Sequence, residues 1–490
     1  MPEPIRIAVV GHTNAGKTSL LRTLTRQVDF GEVSDRPGTT RHAEAIDLRV
    51  HGATAVRFTD TPGLEDSVAL LEYLNRLPGE SRPARVRAFL NGPEAHETFE
   101  QEAKVLRALL EQADAAMLVI DTREPVLPKY RAELEILTWC AKPVMPVLNF
   151  VQAPNSRREQ WQQVLLESNL HAQAEFDAVT PFIGAERRLY GDLATLLSGR
   201  REELAGIVDY LALEAADRRR AACRVAASGL MDVAAMRRQI SAADFAMELR
   251  RTEFVRSLHE DVGAHARRTV DELLKVFAFR RGDAEVARLP QMAERWEDDL
   301  FNPEILREVG KRLGLGAMIG AGIGVVADVA LAGLSLGAAT TLGATVGGAI
   351  SGGWRPLWRK LGNRLSGVQE LTVEDAVLLL LADHLLLLLG ALEQRGHAAM
   401  DKLRLTPGQP GGLAGGLREA LDVLKSARAH PEWETGTAGA GPSLIGRRVD
   451  DDRQQAVEEL ARHLESVISK HLATRHSERV VRKPAGAGAA

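Results

Sequence analysis

The chain opens on an apolar, β-branched run, Ile5 to Val10, that stops at Gly11 and is followed from Ser19 to Arg26 by helical spacing. A short apolar run that ends at a glycine predicts a buried strand of a parallel sheet feeding a turn and a helix. The alternation recurs, with strands predicted at Ala53 to Thr59, Ala115 to Ile120 and Val144 to Leu148 and helical stretches between them. Glu175 to Phe182 reads as the last strand and Glu186 to Ser198 as the last helix. Strands alternating with helices predict an α/β domain, a doubly wound and mostly parallel sheet, over residues 1-200. One gap breaks the rhythm. About fifty residues separate Gly63 from the next strand, and the middle of that gap, "LPGESRPARVRAFLNGPE", predicts an insertion at about 75-95 rich in loop signals.

Past residue 200 the period changes. Residues 201-312 are charged, rich in Ala and Arg, and helical in spacing, which predicts a stalk or bundle. Residues 313-360 differ again: Leu313 to Gly353 carries Asp328 as its only charge and a Gly or Ala every three or four positions, then meets Trp354, Arg355, Trp358, Arg359 and Lys360. Small residues at that spacing let helices approach closely, a bilayer crossing takes about twenty residues, and Trp beside basic residues suits an interface. Two readings fit: a membrane hairpin, and a buried Gly/Ala hairpin inside a soluble bundle. Residues 361-475 read as helical. Their most apolar stretch, Ala376 to Leu392, is broken by Asp383 and His384, which predicts a buried bundle helix, since an ionisable pair at mid-span is costly in lipid. A Gly/Pro linker at Pro407 to Gly416, a loop at His430 to Ser443, a charged helix from about Asp450 to Leu472 and a disordered tail, 476-490, complete the chain.

At 490 residues the chain is too long for one hydrophobic core. A net charge of -4 supplies no nucleic-acid-scale positive field, so no nucleic-acid partner is expected despite the local run Arg218 to Arg220. Two well-separated cysteines, Cys140 and Cys223, fit a reducing compartment, and the first residues do not resemble a secretory leader. A cytoplasmic location follows as an expectation. No histidine falls into a strong metal motif, and no zinc site is expected.

The chemistry sits at the strand ends. "GHTNAGKTS" fits G-x-x-x-x-G-K-[ST] between a predicted strand and helix, so Gly11, Asn14, Ala15, Gly16, Lys17, Thr18 and Ser19 are candidate phosphate ligands. Glycines let backbone N–H groups wrap a phosphate at a helix N-terminus. Lys17 then neutralises β/γ oxygens and Thr18 ligates Mg2+. "FTDTPG" places Asp60 at a strand end with Gly63 three residues on, as needed if Asp60 is to face the metal and the Gly63 N–H the terminal phosphate. Between them "RPGTTRH" offers Thr40 to complete the metal shell in a loop that orders with a triphosphate. Lys17, Thr40 and Gly63 are thus the catalytic candidates and Thr18, Thr40 and Asp60 the metal ligands.

Through "GHTNAGKTSLLRTLT", "RPGTTRH" and "DTPGLED", residues 5 to about 150 resemble an Era/TrmE-type GTPase domain. The whole chain is similar to a bacterial family in which such a domain precedes a C-terminal region of unknown function with a Gly-rich apolar stretch. The resemblance implies GTP/GDP as ligand, Mg2+ as cofactor, weak intrinsic GTP hydrolysis and a membrane or integral membrane protein partner at the inner face of the cell membrane. Asn14 matches a P-loop Asn that holds K+ in cation-dependent members, or it braces the loop. Leu64 stands where small G proteins carry a water-orienting Gln, and His42 replaces an acidic residue common after "TTR". The base-reading Asn-Lys-x-Asp survives only as "NFVQ". Asn149 can bond a purine, Phe150 can stack on it, and Gln152 replaces the discriminating carboxylate, which predicts loose selectivity. "EFDAVTPF" replaces the usual Ser-Ala-Lys, with Asp177 facing the base or away from it. The expected function is a membrane-associated GTP switch; the rival is a scaffold around a degenerate, non-hydrolysing nucleotide fold. Oligomeric state is not legible.

Overall fold

The computed structural model describes residues 3–25, 44–178, 184–277, 300–302, 304–306, 325–327, 368–394, 414–435 and 444–481. Thr40, His42, most of the Gly-rich segment and residues 482–490 lie outside them, while 476–481, expected in a disordered tail, continue the last helix. The chain divides into two compact units, Met1–Ala216 with Gln394–Asp401, and Asp217–Glu393 with Lys402–Ala490.

The first unit is built on β1 (Ile5–Val10), β2 (Glu44–Val50), β3 (Ala53–Asp60), β4 (Ala115–Asp121), β5 (Val144–Asn149) and β6 (Ala174–Glu175), in the order β2-β3-β1-β4-β5-β6. Only the β2–β3 pair is antiparallel. Side chains alternate across β1. Ala8 and Val10 face one apolar layer, with α2 (Ser67–Arg76), α3 (Arg82–Leu90), α4 (Glu100–Arg107), α5 (Pro128–Trp139) and α6 (Arg158–Glu167). Ile5, Ile7 and Val9 face the other, with α1 (Lys17–Thr25), α7 (Ala185–Leu196) and the start of α8 (Arg201–Ala235), where Leu204, Ile207 and Leu211 are buried. Both faces covered is the reason these strands read as continuous apolar runs. Each fully buried Leu or Phe, such as Leu20 or Phe58, contributes roughly 1.5–3 kcal/mol.

Three features of this unit depart from the pattern reading. The gap after Gly63 is helical, not loop-built: the Ser81 hydroxyl accepts from the Ala84 amide at 3.3 Å and Pro83 lies in the first turn of α3. A proline there starts a helix instead of breaking one, because its missing N–H is one no helix could pair. β2 was not foreseen; its alternation is short and charged. The last strand is shorter than expected, because after Phe176 the Ala178 amide donates to the Asn149 side chain and not to a strand.

In the second unit, β7 (Arg237–Ser241), β8 (Val325–Ala327) and β9 (Val368–Val373) form an antiparallel sheet ordered β7-β9-β8. Thus the three described residues of the Gly-rich segment are a strand, paired with Leu371 to Val373, rather than part of a helical limb. Around the sheet lie the remainder of α8, α9 (Ala242–Ala246), α10 (Glu248–Val276), α11 (Asp375–Gln394), α12 (Arg418–Ala427) and α13 (Leu444–Val481). β7 hides in a charged sequence because its arginines are paired. Arg237 bonds Glu370, and Arg238 holds both oxygens of Glu434 at 3.0 and 2.9 Å. Burial pushes the Glu434 carboxyl up, but hydrogen bonds from His265 and Arg238 outweigh it and hold it down at about 2. Asp232 gathers Thr435 and Arg453 in the same way. Within α11 the segment Asp375–Glu393 is long and apolar enough to cross a membrane, yet 78% of its most apolar stretch is buried inside the unit.

Candidate functional site

The turn after β1 and the end of β3 converge. Gly11 and Gly16 take φ of 136° and 91°, which glycine adopts without a Cβ penalty. That winding turns the main chain so that Lys17 folds back under it. Its Nζ donates to the Gly11 carbonyl at 2.8 Å and to the His12 carbonyl at 3.0 Å. Burial lowers the Lys17 pKa, while Asp60 and Glu133 pull it upward. Thr18 Oγ1 donates to Asp60 Oδ2 at 2.6 Å, joining α1 to the end of β3.

Asp60 is 1% exposed, and its Oδ1 has no hydrogen-bond partner among the described residues. Burial raises its pKa against the Thr18 hydrogen bond and the Lys17 charge. A hydroxyl beside a buried carboxylate with an unmatched oxygen is a hard-oxygen donor set that fits Mg2+. Among the described residues no group of three or more His, Cys, Asp or Glu is arranged to hold a metal ion.

The segment after Asp60 is held by main-chain geometry. The Thr61 hydroxyl donates to the Val9 carbonyl at 2.8 Å. Gly63 presses on the P-loop so closely that a Cβ there would lie 2.6 Å from the Thr13 nitrogen. Leu64 is 1% exposed. Its carbonyl accepts from His12 Nδ1 at 3.3 Å, while His12 Nε2 accepts from Lys129 Nζ at 2.9 Å. Those two partners define a neutral imidazole with its proton on Nδ1, in keeping with a pKa lowered by burial and by Lys129. The next two amides, Glu65 and Asp66, both donate to Glu102 Oε1, at 3.1 and 2.9 Å. Asp66 in turn caps α2 through the Ala69 amide.

At the far end, Asn149 is fully buried. Its Nδ2 donates to the Ala15 carbonyl at 3.0 Å, and its Oδ1 accepts from the Phe150 and Ala178 amides, each at 3.0 Å. Asn149 therefore ties the P-loop to the ends of β5 and β6. Phe150 has a left-handed φ of 57°, and its ring lies beside Gly16. The Arg123 guanidinium sits 3.7 Å from the centre of that ring and bonds both oxygens of Asp121. Gln152 is exposed and Asp177 is buried. Asn14 is exposed with φ of 66° and makes no side-chain hydrogen bond among the described residues. Ala15 is buried and Ser19 half-buried on the first turn of α1.

Sequence reasoning therefore reached the residues at both strand ends and missed His12, Glu102, Arg123, Lys129 and Glu133. One of these carried a signal. In "PKYRAELEILTW" Glu133 falls at helical spacing from Tyr130 and Leu137, on the stripe that becomes core, so its burial was readable.

A strand–glycine turn–helix bearing Lys17 and Thr18, with an Asp-x-x-Gly segment at the next parallel strand, defines a P-loop GTPase domain. Residues 6–150 match the family model described as 50S ribosome-binding GTPase. Residues 162–462, more than half of the chain, match the family described as domain of unknown function DUF3482, and the chain belongs to that family. Among characterised relatives, the tRNA modification GTPase MnmE of Bacteroides fragilis is 26% identical over 189 residues, 38% of this chain and 34% of that protein. GTPase Der of Rhizobium etli is 29% identical over 150 residues, 31% of this chain and 26% of that one. The chain thus spans about a third or less of the length of these relatives. Among solved structures, Era in complex with MgGDPNP and a 16S ribosomal RNA segment is 21% identical, with TM-score 0.26, over 36% of this chain and 52% of that chain. A probable GTP-binding protein engB is 16% identical, with TM-score 0.26, over 40% and 99%.

Proposed function

We propose that the chain is a GTP-binding switch that hydrolyses GTP with Mg2+ in its first unit and couples loop changes to its helical region and to a membrane or membrane-protein partner. The observation that carries the nucleotide half is the convergence of Lys17, Thr18, Asp60 and Gly63, from two separate strand ends, around one unmatched carboxylate oxygen. The P-loop amides would meet the phosphates, and Lys17, held at the loop by two carbonyls, would bring its charge to them. Thr18 and Asp60, with Thr40 as the sequence leads one to expect, would hold Mg2+, which would supply charge neutralisation at the phosphate oxygens. Gly63 offers its N–H to the terminal phosphate. Asn14, exposed on the loop, is available to a K+ ion.

Leu64 is buried, so it cannot orient water, and slow intrinsic turnover follows. With Asn149 committed to three backbone groups and Phe150 in place of Lys, guanine preference is loose. The test is turnover of GTP and of ATP, with K+ exchanged for Na+, alongside binding to Lys17→Ala. Slow GTP hydrolysis and loss of binding in the variant support the reading; unchanged GTP affinity of Lys17→Ala sinks the site assignment. The buried Leu64 also favours a second reading, a scaffold whose nucleotide fold does not hydrolyse, and no cleavage of either nucleotide would select it. The membrane half rests on Leu313 to Lys360. Flotation with liposomes should be lost when that segment is deleted, and equal flotation defeats the proposal.

A further inference from the structure

A cavity of about 260 Å³ lies between β4, α5 and the P-loop residues His12 to Ala15, and Thr18, Asp60 and Phe150 are not in its lining. Its body is apolar and aromatic, with Leu118, Ile120, Tyr130 and Trp161 in the wall. Its charged and titratable groups are Asp121 and Glu124 at the end of β4, Glu133 and Lys129 on α5, and His12 from the loop, which also brings Thr13 and Asn14 to the wall. Glu133 stands out. It is 3% exposed, and its Oε1 has no hydrogen-bond partner among the described residues. The two cations that act on it electrostatically are engaged elsewhere: Lys17 Nζ with the Gly11 and His12 carbonyls, Lys129 Nζ with His12 Nε2. A buried carboxylate without a partner is costly unless something pairs with it.

We propose that this cavity is a second ligand site, taking a small organic cation with an apolar or aromatic body whose ammonium group pairs with Glu133. The charge balance selects the cation. Asp121 is paired with Arg123, which leaves Glu124 and Glu133 lining the cavity against the single ammonium of Lys129, and His12 is neutral by its hydrogen bonds. The aromatic wall of Tyr130 and Trp161, whose rings lie 5.3 Å apart, suits the body of such a ligand and the rim of its charge.

The site is joined to the loop chemistry through one ring. His12 walls the cavity, forms part of the P-loop and holds the Leu64 carbonyl just after Gly63. A cation on Glu133 also stabilises the negative charge of a triphosphate met by Lys17, so the two ligands should raise each other's affinity by one common factor. This coupling rests on the GTP-switch reading; the binding itself does not.

The test uses the full chain free of nucleotide, with benzylamine as probe and benzyl alcohol as its uncharged counterpart, read by ligand-observed NMR. At pH 8 benzylamine should bind saturably and at least about tenfold tighter than the alcohol. Burial raises the Glu133 carboxyl to about 7, against Lys17 and Lys129. The ionised fraction therefore falls about tenfold between pH 8 and pH 6, and benzylamine affinity should fall with it. Glu133→Gln, which keeps the shape and removes the charge, should abolish the preference for the amine. Equal affinity for the two probes, no saturable binding, or an unchanged preference in Glu133→Gln overturns the proposal; the pH series on the wild type decides it even if the variant does not fold. Repeating the titration with GTP present tests the coupling, and identical benzylamine affinities with and without bound GTP overturn that link.

Discussion

Asn149→Ala isolates what the base-side motif does for the fold. The substitution strips partners from the Ala15 carbonyl and the Ala178 amide, both buried, and from the Phe150 amide, which is half-buried. An orphaned buried backbone group costs about 1–3 kcal/mol, and the Phe150 amide can recover water, so the total is about 4 kcal/mol. Against a domain stability of roughly 5–15 kcal/mol that is a large fraction. Because the chain has two units, a single melting temperature would mix them. Hydrogen exchange read by mass spectrometry on peptides over β1 and β5 follows the first unit alone. Protection there should drop by a factor on the order of a thousand. A loss under about 1 kcal/mol for Asn149→Ala would show that the side chain is not what holds these three groups, and the account of the P-loop's anchoring would fail.

Two further outcomes follow from buried carboxylates. Glu102→Ala removes the acceptor for the Glu65 and Asp66 amides, at a cost of about 2–4 kcal/mol; exchange over residues 61–69 should accelerate, and Glu102→Gln should restore most of the protection. Glu133, raised from 4.5 to about 7 chiefly by burial, holds its proton in the folded state over a range where the unfolded chain has released it. Stability therefore falls as pH rises from 4.5 to 7, and Glu133→Gln should exceed wild type by on the order of 3 kcal/mol at pH 8 and match it near pH 4. Urea titration of both chains at the two pH values measures this, and an equal gap at both refutes it.

The first unit was legible because its signals are local. An apolar run before Gly11, the spacing to Lys17 and Thr18, and Asp60 with Gly63 each lie within a few residues, and the structure brings these stretches together. What was not legible depends on partners far along the chain. Glu102 meets Glu65 and Asp66 across more than thirty positions, and Lys129 meets His12 across 117. The insertion misled because its Gly and Pro residues read as loop signals, although Pro83, just behind the Ser81 cap, sits in the first turn of a helix. In the second unit, arginines on β7 resembled a solvated helix face, since nothing in their own neighbourhood names Glu370 or Glu434. Thr40 remains an expectation of the sequence, outside the described residues.

Glu102 also has a mechanical meaning. One oxygen atom, carried on α4, holds two successive amides of the strip that begins at Gly63, so the resting position of that strip is set from outside the phosphate cradle. A displacement of α4 would be passed to the Glu65 and Asp66 amides through that one oxygen. The inserted helices thus set where the strip after Gly63 rests.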